Sequence, residues 1–300
     1  IDGVIDAAGF AYGDQFGAAR TGRAADAAER WRRDGKAVIL LPQAFGPFST
    51  EPIRTAARRL IGAADLVFAR DRVSLAALEG IGAMAEHVSR APDFTISVPA
   101  LPSSAAGADA HGYLVPNAKM LRHLESDARD TYLDFLVACG SEIRERNLQV
   151  RILLHESNED AGIASDLAQR LDGAPVVSEE DPQRLKGRIA ASRVVVGSRF
   201  HALVAALSQS VPVVASGWSH KYAELLADYG CPDALVTLPA GREEAQAAIA
   251  RALDEPSRTA SIERLTRSAA EQRRQTDAMW ARVREVLART ARARRRGGFG

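Results

Sequence analysis

Short runs of valine, isoleucine, leucine and alanine alternate with longer stretches whose apolar residues recur at helical spacing, and the alternation continues to about Tyr229. Runs that are apolar at consecutive positions suit strands buried on both faces, and helices between them make βα units around parallel sheets. The fold class is therefore α/β. In the first third the pattern predicts strands at residues 4–8, 37–41, 66–69 and 87–89. Residues 18–33 and 52–63 set apolar positions on one helical face and arginines on the other.

The periodicity breaks over residues 99–107, where proline, serine, alanine and glycine replace it, and this stretch reads as a linker. A second series follows, with strands at 112–115, 150–154, 194–196 and 211–215 and helices near 126–146, 161–171, 182–191, 200–208 and 221–229. Along 257–289, Ile262, Leu265, Met279, Val283, Val286 and Leu287 fall on helical stripes, as expected of a helix that packs back onto the rest. The arginine-rich end, 292–300, reads as a solvated, disordered tail. The expected organisation is a Rossmann-like domain over 1–100, a second over 108–256 and a C-terminal crossing helix with a basic tail over 257–300.

A length of 300 residues with 46% hydrophobic composition suits two cores rather than one. The formal net charge of +1 offers no general attraction for nucleic acid or for an acidic membrane surface. Two cysteines, Cys139 and Cys231, have neither metal-ligand spacing nor a disulfide framework and fit a reducing compartment, so a cytosolic protein is expected. The apolar runs fall well short of the roughly 20 residues a membrane-spanning helix needs. The chain opens on Ile1 directly in a strand-like run, which suggests a missing N-terminal piece.

The most informative chemistry lies at Gly197-Ser198-Arg199-Phe200-His201, where a hydrophobic strand turns into a helix. The first N–H groups of a helix and its dipole attract a phosphate or carboxylate, and Gly197 would let such a ligand approach closely. Arg199 adds a planar cation matched to either anion, and His201 a group that exchanges protons near neutral pH. The alternative is that Arg199 pairs with a structural acid and His201 merely packs. Position favours function, because ligands of open α/β sheets bind beyond the carboxyl ends of the strands.

Arg70 and Asp71 stand at another strand end, either as a cationic site or as a surface ion pair. The loop 41–48 brings Gln43, Phe45 and Gly46 to a strand mouth, while Lys221 is either one more site cation or an exposed helix lysine. His155 and Glu156 end a strand without further ligands, and no metal is expected. Neither a phosphate loop of the Gly-x-x-x-x-Gly-Lys-Ser/Thr type nor a Gly-x-Gly-x-x-Gly turn occurs, which removes most support for ATP hydrolysis or dinucleotide redox chemistry.

Leu-Pro-Gln-Ala-Phe-Gly-Pro-Phe at 41–48, Ala-Arg-Asp-Arg-Val-Ser at 69–74, Ala-Pro-Asp at 91–93, Val-Pro-Asn at 115–117, Gly-Ser-Arg-Phe-His-Ala at 197–202 and Lys221, taken in that order, resemble the polysaccharide pyruvyl transferase family. The Gly-x-Arg-x-His-Ala element is the most specific part. The resemblance implies a GT-B-like fold of two Rossmann-like domains facing across a cleft, with a first domain truncated at its N-terminus. It implies transfer of a pyruvyl group from phosphoenolpyruvate to a hexose of a cell-surface or exopolysaccharide glycan, as a cyclic ketal, with no cofactor.

By that resemblance Arg70, Gly197, Ser198, Arg199, Phe200, His201 and Lys221 bind the donor, with His201 and Arg199 catalytic. Phe10, Asp14, Gln43, Phe45, Asp71, Asn117 and His155 lie on the acceptor side. The partners are phosphoenolpyruvate and a glycan or lipid-linked sugar, without nucleic acid. Any membrane association is peripheral, at the inner face. The rival readings are a nucleotide-sugar-dependent glycosyltransferase or epimerase on the same fold and an inactive glycan-binding member of an assembly complex.

Overall fold

The computed structural model describes residues 1–102, 110–122, 128–155 and 157–297. Its chain divides into one unit of residues 1–97 and 272–300 and another of residues 98–271.

In the first unit, β1 (Gly3–Asp6), β2 (Phe10–Tyr12), β3 (Ala37–Phe45), β4 (Leu66–Ala69) and β5 (Val88–Arg90) form one parallel sheet in the order β1-β3-β4-β5, with β2 also on β3. β1 pairs with the start of β3, Gly3 opposite Ala37, and β2 pairs with its end, Phe10 opposite Ala44. Every residue of β3 is buried, as a central parallel strand requires. Helices α1 (Gly17–Arg33), α2 (Glu51–Ala63) and α3 (Arg72–Gly80) follow the strands.

Strand β3 extends four residues past the expected end at Leu41. Gln43 and Phe45 therefore belong to a strand rather than a loop. Pro42 is no obstacle there, since a proline removes only one donor from the ladder, and the β3–β4 register shifts between Leu40 and Gln43. β2 escaped notice because three residues are too few to show a period.

The second unit holds β6 (His111–Val115), β7 (Gln149–Leu154), β8 (Val176–Ser178), β9 (Val194–Gly197), β10 (Val213–Ser216) and β11 (Leu235–Val236). All pairings are parallel and the order is β11-β10-β9-β6-β7-β8. Counted within the unit, this is the Rossmann order 3-2-1-4-5-6 read from the far edge, and the direction of winding reverses between β6 and β9. Its helices are α4 (Ala128–Glu145), α5 (Ser157–Arg170), α6 (Pro182–Ala190), α7 (Phe200–Ser208), α8 (His220–Asp228) and α9 (Arg242–Leu253). The core between α4, α5, α9 and the sheet gathers Leu114, Phe135, Ile152, Leu167, Val196 and Ile249. The pattern reading omitted α9, although Glu244 caps it by accepting from the Gly241 N–H at 2.9 Å. Residues 103–107 of the expected linker lie outside the described residues; before them, Leu101 N–H donates to the Gln183 carbonyl at the start of α6.

The last helix, α10 (Ser257–Gly297), continues into the stretch expected to be a disordered tail, of which residues 298–300 lie outside the described residues. Alanine and arginine are strong helix formers, and nothing in that run interrupts the helix before the closing glycines. In the first unit, α10 lays Met279, Val283 and Val286 on Ala37, Ile39, Leu41, Leu66 and Phe68 of β3 and β4. Met279→Ala should therefore destabilise the protein by about 2–5 kcal/mol in urea unfolding, as truncations in a packed core do.

Candidate functional site

The carboxyl ends of β6, β7, β9 and β10 all carry chemistry-bearing residues, and the reversal between β6 and β9 is where an open α/β sheet leaves a crevice. Val115 pairs with Gly197 across that point. A Cβ on Gly197 would lie 2.3 Å from the Val115 carbonyl oxygen, so the close approach of the two strands requires glycine here. The chain then turns through Ser198, fully buried and held from three sides. Asn117 Nδ2 donates to the Ser198 carbonyl at 2.8 Å, Tyr222 OH donates to the same oxygen at 2.9 Å, and Tyr132 OH shares a hydrogen with Ser198 Oγ at 2.5 Å. Burial raises the Tyr132 phenol above its ordinary value, which keeps it a neutral donor and acceptor.

Asn117, expected on the acceptor side, is spent on this tie. It is buried, and its Oδ1 accepts from the Lys119 N–H at 3.0 Å. Arg199 caps α7 and is only 4% exposed. Its Nε donates to Asp160 Oδ2 at 2.7 Å and its Nη2 to Asp160 Oδ1 at 2.5 Å, with Glu159 3.2 Å from Nη2. Asp160 is 0% exposed and also accepts from the Ala118 N–H, while Lys119 Nζ pairs with Glu159 at 3.2 Å. The structural acid left open by the sequence thus exists, on the first turn of α5.

His201, one residue into α7, is exposed. The ring of His155, at the end of β7, lies nearly parallel to it, with 6.5 Å between centroids and 14° between planes. Burial first, then the positive charges of His201 and Arg199, push the His155 imidazole down to about 4, against which Asp160 pulls weakly. Lys221, the second residue of α8, holds its ammonium 5.3 Å from the Phe200 ring, 5.1 Å from Trp218 and 5.1 Å from Tyr222, in the cation–π range.

The remaining expected residues belong to the first unit. Arg70, buried at the end of β4, pairs with buried Asp93 at 3.4 Å. Asp71 caps α3 by accepting from the Ser74 N–H at 2.7 Å. Phe45 is core, stacked on Tyr12 at 6.3 Å, and Gln43 is fully buried in β3. Phe10 meets the edge of Phe16, while exposed Asp14 accepts from the Ser49 N–H at 3.0 Å. Glu156 lies outside the described residues. Among the described residues no group of three or more histidine, cysteine or acidic side chains is arranged to hold a metal.

Two Rossmann-like units built on parallel sheets make a GT-B-like fold. Solved structures of the same fold include an α,α-trehalose-phosphate synthase (UDP-forming) from Burkholderia vietnamiensis, at 13% identity and a TM-score of 0.51 over 91% of this chain and 81% of the other. A candidate UDP-N-acetylglucosamine 2-epimerase from Listeria monocytogenes gives 11% identity and 0.55 over 83% and 73%. No curated protein matches the chain. The sequence profile of polysaccharide pyruvyl transferases matches residues 2–220, and the chain belongs to that family. It is a polysaccharide pyruvyl transferase.

Sequence reasoning missed Glu159, Asp160, Tyr132 and Tyr222. Only the Glu-Asp pair shortly after the β7 histidine offered a signal, and it carries no meaning until α5 is folded against α7. Removing one member of a buried ion pair strands the other charge. Arg199→Ala and Asp160→Asn should each lower stability by about 3–5 kcal/mol, and the double variant Arg199→Met/Asp160→Leu by less than their sum, in urea unfolding. His155 adds a pH dependence. Its unfolded form titrates near 6.5 and its folded form near 4, so the unfolded chain binds the extra proton and stability falls as pH drops through that window. Between pH 7 and 4.5 the wild type should lose roughly 1–3 kcal/mol more than His155→Phe.

Proposed function

We propose that this enzyme transfers the pyruvyl group of phosphoenolpyruvate to two hydroxyls of one hexose in a glycan, forming a cyclic ketal and releasing phosphate. The observation that carries the reading is exposed His201 on the first turn of α7, at the winding reversal of a parallel sheet, with the Lys221 ammonium against the Phe200 ring that His201 also contacts. A small donor with a phosphate and a carboxylate needs cationic and N–H contacts for both anions and one proton-transfer group at its methylene. The amino end of α7 and Lys221 supply the first, and His201 the second.

Arg199 enters through Glu159. Asp160 fixes the guanidinium plane, while the half-exposed Glu159 carboxylate occupies a position a donor carboxylate would take, with Lys119 to receive the displaced acid. In the reaction His201 protonates the enol methylene, making it a methyl and leaving an oxocarbenium-like centre at C2. One sugar hydroxyl adds there and gives up its proton. The second displaces phosphate, gives up its proton and closes the ring, while the cationic surroundings stabilise the departing charge.

The same reading places the enzyme in the cytosol. Cys139 and Cys231 are unbridged and buried, and burial raises both thiols, that of Cys231 to about 12, as inert packing thiols require. No described helix is long and apolar enough to cross a membrane.

Phosphoenolpyruvate should raise the melting temperature of the wild type in proportion to its occupancy, and much less that of Lys221→Met. His201→Gln should keep most of that donor shift yet lose about 100-fold or more in turnover. Stabilisation by UDP-sugars alone would replace this reading with a nucleotide-sugar transferase, and stabilisation by a glycan without donor consumption with a binding protein.

A further inference from the structure

Two imidazoles lie face to face in the second unit, and the reaction uses only one of them. His155 leaves the end of β7 half-buried, its Nδ1 enclosed and without a hydrogen-bond partner among the described residues. A ring that served mainly to bind through its nitrogens would not have one of them sealed off from both protein and solvent. What His155 does offer is a flat face, nearly parallel to the ring of His201 at a centroid spacing within the range of offset stacking. The His201 ring also makes a T-shaped contact with Phe200, at 5.7 Å and 84°. The exposed imidazole thus contacts two rings, one nearly parallel to it and one nearly perpendicular.

We propose that His155 is the positioning residue of His201, a second imidazole that sets its ring plane by stacking and leaves the exchangeable proton to it. This rests on reading His201 as the proton-transfer group, and it moves His155 from the acceptor side, where the family resemblance put it, to the donor side.

The charges around His155 support the division. Arg199 and His201, at the start of α7, oppose a further cation beside them, and Lys221 on α8 adds positive charge beyond Phe200. Asp160 on α5 favours a charged His155 but is engaged by Arg199, while Glu159 is shared between Arg199 and Lys119. A neutral ring lies comfortably against a protonated one, whereas two protonated rings repel. His155 is therefore held neutral, and proton exchange is left to the ring that reaches solvent.

The test is nitrogen-15 NMR of the histidine rings across pH in wild type, His155→Phe and His155→Ala, each first shown to be folded by its thermal melt. The wild type should show a single titration for the pair above pH 5, belonging to His201. Phenylalanine keeps the stack and should preserve the His201 midpoint and tautomer; alanine should shift both towards those of a free imidazole. With phosphoenolpyruvate and a panel of methyl hexosides as acceptors, alanine should lower kcat by roughly tenfold or more with little change in the donor KM, and phenylalanine should restore most of it. The proposal is overturned if His155 itself titrates above pH 6, if the alanine variant leaves the His201 signals unchanged, or if phenylalanine is as damaging as alanine. The NMR arm does not depend on turnover, so a chain that never consumed phosphoenolpyruvate would count against the functional reading alone.

Discussion

The second unit depends on one close approach, the backbone of Gly197 against that of Val115. With no Cβ to intervene, β9 seats directly on β6 at the point where the winding of the sheet reverses. Any larger residue would meet the Val115 carbonyl oxygen and hold the strands apart. Because the two loops beyond these strands start from adjacent backbone, Asn117 reaches the Ser198 carbonyl and Tyr132 bridges both loops. The turn into α7 is thus tied down by the side chains of Asn117, Tyr132 and Tyr222 rather than left to fray.

The ionic side chains are layered rather than gathered at the surface. Asp160 and Arg199 are buried together and satisfy each other with a bidentate geometry, which is the condition under which a buried charge is tolerated. Glu159 and Lys119 continue the alternation outward. This arrangement makes Arg199 first a structural residue, and of the two stacked imidazoles it is His201 that is exposed. The aromatic rings of Phe200, Trp218 and Tyr222 surround the Lys221 ammonium, and the first of them opens α7.

The first unit follows the same logic with different content. Its central strand is longer than its neighbours and buried throughout, and α10 covers the face formed by Ile39, Leu41 and Phe68. Arg70 sits at a strand end, as a ligand-binding residue would, but spends its charge on Asp93, the aspartate of the Ala-Pro-Asp stretch at 91–93. Both arginines singled out by their position thus have buried carboxylate partners, each supplied by another element.

Much of this was legible in the order of residues alone. Apolar runs located eight of the strands because a strand buried on both faces must be apolar at consecutive positions, and the glycine-to-helix turn at 197–201 announced itself by residue type. The missed strands β2, β8 and β11 have two or three residues each, too few for a period to show. The sequence by itself determined the class of fold, the family and the turn around which the chemistry gathers, since these depend on local pattern and on motifs contiguous in the chain. Only the tertiary structure decided which carboxylate holds Arg199, which ring lies against His201, and that Gln43, Phe45 and Asn117 are interior. Those facts are set by distances between elements far apart in sequence, and no local period encodes them.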